Sequence, residues 1–361
     1  MKLKFLRVAI AAVLIHSGCG TSHESLEVRY TEIDQIRYSG SSQHIQSGIE
    51  LATGQWEFWY ANGQRQAVGF YQGGALPAPD DLEAGLTEIP RVGRVGKWTF
   101  WGEEGSLLNE GEYFDGHKHG EWVTYWPDGA VRTQGEFREG REEGEHLRWH
   151  SNGKRAALIA YSDGLREGVS REWNERGRLA RQGGYAMGQR VGVHVLRDDD
   201  GNKIEQATYV DGYLHGVRRT WNEDGCLTWA ATYRAGEQHG PFQMHFPSGA
   251  IRQQGVFTEG KQNALLSAYD ENGVCEWEFE FVDGEQHGRR SFWYENGQLR
   301  SQGRYVDGLP MGRHREWYPN GQQKSIGAYH RGRPVGKWHC WKENGDLDEQ
   351  LSGTYTLGPD Q

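Results

Sequence analysis

The sequence predicts an all-β protein, an elongated and twisted array of about twelve tandem 24-residue β-hairpins. Three observations lead there: glycine recurs every 24 residues, an aromatic residue keeps step with it, and turn-forming dipeptides separate short strand-like runs. Composition agrees. A chain with 52 glycines is a poor helix former, because glycine costs about 1 kcal/mol per helical position relative to alanine. One with 15 tryptophans and 17 tyrosines has far more to bury than a disordered chain does.

The period starts at Gly54 and resumes at Gly96, Gly120, Gly144, Gly168, Gly192, Gly216 and Gly240, then at Gly288, Gly312 and Gly336, with Ala264 filling the gap. We count positions from this residue as zero. Position 5 is aromatic in most copies, as at Trp101, Tyr125 and Trp293, and position 9 is glycine in all twelve, from Gly63 to Gly345. Position 17 is aromatic in eleven successive copies, from Tyr71 to Tyr329, and position 20 is glycine in the same eleven. A fixed period of this length marks a stack of identical supersecondary units.

Each unit reads as two strands. Pro127-Asp128-Gly129 and Glu295-Asn296-Gly297 precede the first turn, which should be a type I turn closed by a glycine bulge. A second turn, as at Asp115-Gly116, passes the chain to the next hairpin. Simple strand alternation places positions 5, 11 and 17 on one structural stripe and positions 2 and 4 on an exposed, variable face.

Outside the repeats the order is equally legible. Residues 1–19 have a basic start (Lys2, Lys4, Arg7), the apolar run Val8 to Ile15 and the small pair Ser17-Gly18 before Cys19. That order is the one of a secretory signal. Its end resembles a bacterial lipobox, with His16 where that family has leucine, so Cys19 is the expected lipidation site and a membrane-anchored position in the cell envelope is expected. Gly20, next to the cysteine, leans toward an outer leaflet. Residues 20–53 read as an N-terminal linker, 54–356 as the repeat domain with a loop insertion within 75–95, and 357–361 as a C-terminal tail.

The pattern Gly-x-Trp-x-x-Trp/Tyr-x-x-Asn-Gly followed by Gly-x-Tyr-x-x-Gly, matched from Gly288 to Gly308 at every marked position except the first tryptophan, where Arg290 stands, resembles the bacterial variant of the MORN repeat. Proteins of this type are often labelled antitoxins of the YwqK type. The resemblance implies a β-hairpin array and a protein-binding role, with an antitoxin-like activity as its extension.

No catalytic constellation is found. His117 and His119 lie in a turn where His215, His239 and His287 recur, which favours a structural role. Asp198 opens a run of acids, but a calcium loop would need glycine at 203 and glutamate at 209, where Lys203 and Tyr209 stand. The expectation is a non-enzymatic protein without metal or cofactor and, at a net charge of −10, without a nucleic-acid footprint. The expected activity is binding of a protein partner through positions 2 and 4 of the middle copies: His146, Arg148, Glu172, His194, Arg218, Phe242 and Arg290. A structural envelope spacer with no specific partner is the alternative.

Overall fold

The computed structural model describes residues 8–12, 23–30, 35–44, 50–75 and 89–356. Among them regular structure is strand throughout, and neighbouring strands pair antiparallel. Cys19, most of the 75–95 insertion and the tail 357–361 lie outside the described residues. The chain divides into two compact units, residues 1–179 with 185–188, and residues 180–184 with 189–361.

Both turns follow from the residues at them. In the copy starting at Gly120, the Trp126 amide donates to Ala130 O (2.7 Å), and the Gly129 amide donates to Trp126 O (2.9 Å). Asp128 caps the turn by accepting from the Ala130 amide at 3.0 Å. Gly129 has φ 86°. This is the type I turn with a glycine bulge expected from the sequence. At the other end Asp115 and Gly116 have φ 48° and 75° between the paired residues Phe114 and His117. Two successive positive φ values define a type I′ turn, whose twist suits antiparallel strands. The first of the pair is not always a residue that tolerates this backbone: Met187, Ala235 and Arg331 hold φ 48°, 50° and 46°.

The register overturns the expected assignment of faces. Within the hairpin starting at Gly96, Gly96 pairs with Tyr113, Trp98 with Gly111 and Phe100 with Asn109, but Trp101 pairs with Leu107. Position 12 is thus an unpaired bulge, and the same shift recurs in the hairpins of both units. A bulge inserts one extra residue and resets the alternation of the bulged strand. Position 11 therefore does not share a face with position 17. Positions 2, 4, 13, 15 and 17 lie together, and positions 3, 5, 11 and 14 lie on the opposite face. The first face is the packed one, contrary to the expectation that positions 2 and 4 point to solvent.

In the first unit this packed face centres on Tyr38, Ala52, Trp56, Phe58, Ala67, Tyr71 and Trp98, with Ile89, Phe100 and Tyr113 against them. Trp56 and Trp98 are completely buried. Two of these residues extend the array beyond the repeat pattern. The strands His23–Tyr30 and Gln35–His44 pair ahead of the first recognisable copy. Gly40 and Tyr38 then stand opposite Trp56 and Phe58, as positions 15 and 13 do elsewhere. The other face carries the position-5 aromatics. Tyr125 Oη donates to Glu110 Oε1 at 2.8 Å, and the Arg65 guanidinium lies 5.8 Å from the Trp101 ring.

In the second unit the same slots are lined by Ala207, Ala231, Phe242 and Ala268, all buried. Side-chain ladders join successive hairpin tips in each unit. Tyr60 Oη donates to Trp101 O and Tyr294 Oη to Trp317 O, both at 2.9 Å. Asn62 Nδ2 donates to Glu103 O (2.9 Å) and Asn296 Nδ2 to Pro319 O (2.8 Å). These bonds satisfy carbonyls that the turn would otherwise leave to water.

Candidate binding face

Position 2 occupies a slot built by two neighbouring copies. Its floor is position 15 of the preceding copy and its walls are the position-17 rings on either side. Gly69 lies under Trp98, Gly111 under Trp122 and Gly135 under His146; a Cβ at these glycines would come within 2.0 to 2.4 Å of the ring above. The indole of Trp98 meets Tyr71 and Tyr113 edge-on at 5.1 and 6.1 Å. Such edge contacts add roughly 0.5–1.5 kcal/mol each beyond the area they bury. In two copies the ring nitrogen meets the carbonyl of position 16: Trp98 Nε1 donates to Phe70 O at 3.1 Å and Trp122 Nε1 to Glu112 O at 2.8 Å, whereas Trp338 Nε1 is buried without a partner.

Histidine enters the same slot in the same way. His146 Nε2 reaches Glu136 O at 2.8 Å, His194 Nε2 reaches Gly184 O at 2.9 Å, and His314 Nε2 reaches Arg304 O at 3.0 Å. A carbonyl only accepts, so the neutral ring carries its proton on Nε2 in each case. Burial pushes the His194 and His314 imidazoles below their ordinary value. The backbone hydrogen bonds oppose that shift, and the charge of Arg190 adds to it at His194, as that of Arg290 does at His314.

The seven residues expected to bind a partner are placed as follows. His146, Glu172 and Arg148 belong to the first unit. Arg148 is exposed, while His146, packed edge-on between Phe137 and Tyr161 at 5.3 and 5.0 Å, and Glu172 are half-buried. In the second unit His194 is half-buried beside Tyr209 at 5.0 Å. Arg218 Nε donates to Glu205 Oε1 at 2.9 Å. Phe242 is only 5% exposed and stacks on Trp229 at 5.4 Å. The Arg290 guanidinium lies 4.8 Å from both Phe279 and Phe292 and 5.1 Å from Tyr305. A groove of about 420 Å³ beside Phe242 is lined by Val217, Ala231, Pro241, Val256 and Leu265 among others. These side chains form rows on a packed face, with their edges and ends reaching the surface, and only Arg148 stands free of it.

A second row escaped the sequence reading. Position 22 places Arg94 over Trp98, Phe100 and Tyr113 at 4.6, 5.3 and 5.1 Å, and Lys118 over Trp122 and Phe137 at 4.3 and 5.0 Å. Its signal was present in the recurrence of Arg94, Lys118, Arg166 and Arg190 at one phase. The turn histidines are tied to the next turn: the Glu259 amide donates to His239 Nδ1 at 3.4 Å, and His287 Nδ1 lies 3.4 Å from Asp307 Oδ1. Asp198 accepts from the Asp200 and Asn202 amides at 2.9 and 2.8 Å, closing its own turn. Among the described residues no group of three His, Cys, Asp or Glu side chains is placed to hold a metal ion.

Fold and face together define a hairpin-repeat protein. The model of the MORN repeat variant matches residues 52–72, 118–139 and 286–307, so the chain contains MORN-type repeats in both units. No curated protein matches the chain. Among solved structures it is similar to a crystal structure of TcdB2-TccC3-Cdc42, at 11% identity and a TM-score of 0.18, over 91% of this chain and 19% of that one. It is also similar to the Photorhabdus luminescens Tc holotoxin pore, at 10% identity and a TM-score of 0.15, over 91% of this chain and 20% of that one. The chain thus spans about a fifth of the length of those chains.

Proposed function

We propose that the protein is a non-catalytic, protein-binding scaffold. One observation supports this reading above others: the same backbone slot recurs in copy after copy while its occupant changes from Trp to His, Ser, Arg, Phe and Leu. A rigid strand that presents varied chemistry at fixed spacing loses little conformational entropy on binding. In the first unit the contact strip runs through His146, Arg148 and Glu172. In the second it uses His194, Arg218 and Arg290, with Phe242 supporting them from within. Arginine and aromatic groups are the types that carry most energy in protein interfaces. The scaffold is exported and held at the envelope through Cys19, a part of the proposal that rests on the sequence alone; an antitoxin-like role would be one form of such binding.

The test is site-specific photocrosslinking in the native cell, with benzoylphenylalanine at 148 or at 172, and at the exposed Lys97 as the control. One discrete protein adduct is expected from 148 and 172 and none from 97, with Arg148→Glu lowering adduct yield from 172 at least tenfold. No adduct, or the same mixture from all three positions, would favour a spacer instead. For the anchor, Cys19→Ser should move the protein from the membrane fraction to the soluble one.

A further inference from the structure

The first unit contains a cavity of about 710 Å³ whose lining is unlike the rest of the chain. The chain carries 50 acidic residues against 40 basic ones, yet the cavity is lined by Arg91, Arg94, His117 and Lys118 and by no aspartate or glutamate. Its apolar wall is Phe100, Tyr113, Trp122 and Phe137, and its volume is in the range of small-molecule sites.

Arg94 is the telling residue. Its side chain belongs to a residue only 5% exposed, and every group it donates to is neutral. Nε donates to Pro90 O (2.7 Å), Nη2 to Ile89 O (2.6 Å) and Nη1 to Tyr113 Oη (2.9 Å). Those bonds use three of its five N–H groups. Among the described residues no carboxylate lies within ion-pair distance of Arg94, Arg91 or Lys118. Burying a charge without a counter-charge costs several kcal/mol, and the rings beneath the guanidinium offset only part of that. Lys118, half-buried, repeats the cation-over-ring contact one copy later, above Trp122 and Phe137. Burial lowers its ammonium below the usual lysine value and the charge of Arg91 adds to this, with only Glu142 acting the other way. Arg91 is exposed at the rim, where a guanidinium fork can meet an oxyanion on two bonds.

We propose that this cavity binds an aromatic anion, a carboxylate or phosphate carried on a planar apolar body. The oxyanion would meet Arg91 and Lys118, and the planar body would lie against Phe100, Tyr113 and Phe137. Such a ligand supplies the missing negative charge and covers the aromatic wall in one step. A free inorganic anion supplies only the first, and a neutral arene only the second. The site is independent of any protein partner.

Isothermal titration of the full chain tests it with four probes: 1-naphthyl phosphate, 1-naphthoate, 1-naphthol and inorganic phosphate. At least one naphthyl anion should bind one per chain, at least tenfold more tightly than both naphthol and inorganic phosphate; which anion wins separates a phosphate ligand from a carboxylate one. Arg91→Gln with Lys118→Gln should weaken that binding at least tenfold, with the unliganded melting temperature as the check on folding. If the double variant does not fold, the rim variant Arg91→Gln alone should still weaken binding severalfold. Binding of naphthol equal to that of the anions, binding unaffected by these substitutions, or no saturable binding of either anion would overturn the proposal.

Discussion

Two slots in the first unit solve one packing problem in opposite ways. At Gly69 the floor has no side chain, and the indole of Trp98 fills the space, completely buried. At Ile159 the floor itself projects into the space, with 1% exposure, and the register of Ala157–Glu172 and Leu158–Arg171, continued by one residue, brings the buried Ser170 above it. In the second unit His194 lies on Gly183 and Leu266 reaches Gly255, whereas Phe242 pairs with Ala231 and Arg290 with Phe279, and Arg218 follows on from the Glu205–Thr220 and Gln206–Arg219 pairs toward Ala207. Between the Trp98–Gly69 and Ile159–Ser170 slots bulk passes from one member to the other, whereas at Arg290–Phe279 both members are large. Interiors near crystal-like density permit this swap and penalise a change in one partner alone.

A double-substitution cycle at the first slot should give the largest effect. Trp98→Ser empties a buried slot and should cost about 3–5 kcal/mol. Gly69→Ile drives a side chain into the indole, whose atoms come as near as 2.0 Å to an ideal Cβ, and should cost about 1–3 kcal/mol or more. Together they recreate the Ile159–Ser170 pair, and the double variant should be more stable than the sum predicts by at least ~1 kcal/mol. Strict additivity in urea unfolding would break the comparison.

Next in size is the pH dependence of the histidine slots. Burial holds His194 and His314 below the ordinary value of 6.5, so the unfolded chain takes up protons first as pH falls. Their contribution is therefore whole above about pH 6.5 and is lost as pH drops through the folded values. His314→Trp, over Gly303 as Trp338 lies over Gly327, should reduce the difference in urea midpoint between pH 8 and pH 5. An unchanged difference would show that this ring does not report the slot.

Smaller effects belong to the turns. Ala235 sits at φ 50° before Gly236, a backbone that asparagine accepts more readily. Ala235→Asn should raise stability by roughly 0.5–1 kcal/mol, measured as a higher melting temperature. Smallest of all, Ser170 Oγ is buried without a hydrogen-bond partner, so Ser170→Ala should be neutral or slightly stabilising in the same melts. A clear loss would mean that the hydroxyl has a partner such as a water.

Burial first, then neighbouring carboxylates, pushes the thiols of Cys275 and Cys340 up, to about 11 at Cys275. With Cys226 they are free. They fall at three different positions of the repeat, 10, 11 and 4, so the period sets up no disulfide ladder.

The sequence by itself determined the class of the fold, its period and both turns. Those depend on local backbone chemistry, such as Asp128 before Gly129 or Asp115 before Gly116, and local chemistry is written in adjacent residues. The sequence also held the exchange between positions 15 and 2, eleven residues apart at Gly111 and Trp122, although alternation alone could not show that the two touch. Only the tertiary structure decided which face is packed. Whether Tyr113 shares a face with Leu107 or with Trp98 turns on one unpaired residue, Leu108, and a single extra residue reverses every side chain beyond it. The Arg94–Lys118 cavity belongs with that second kind of knowledge, because its charge is defined by neighbours brought together from successive hairpins.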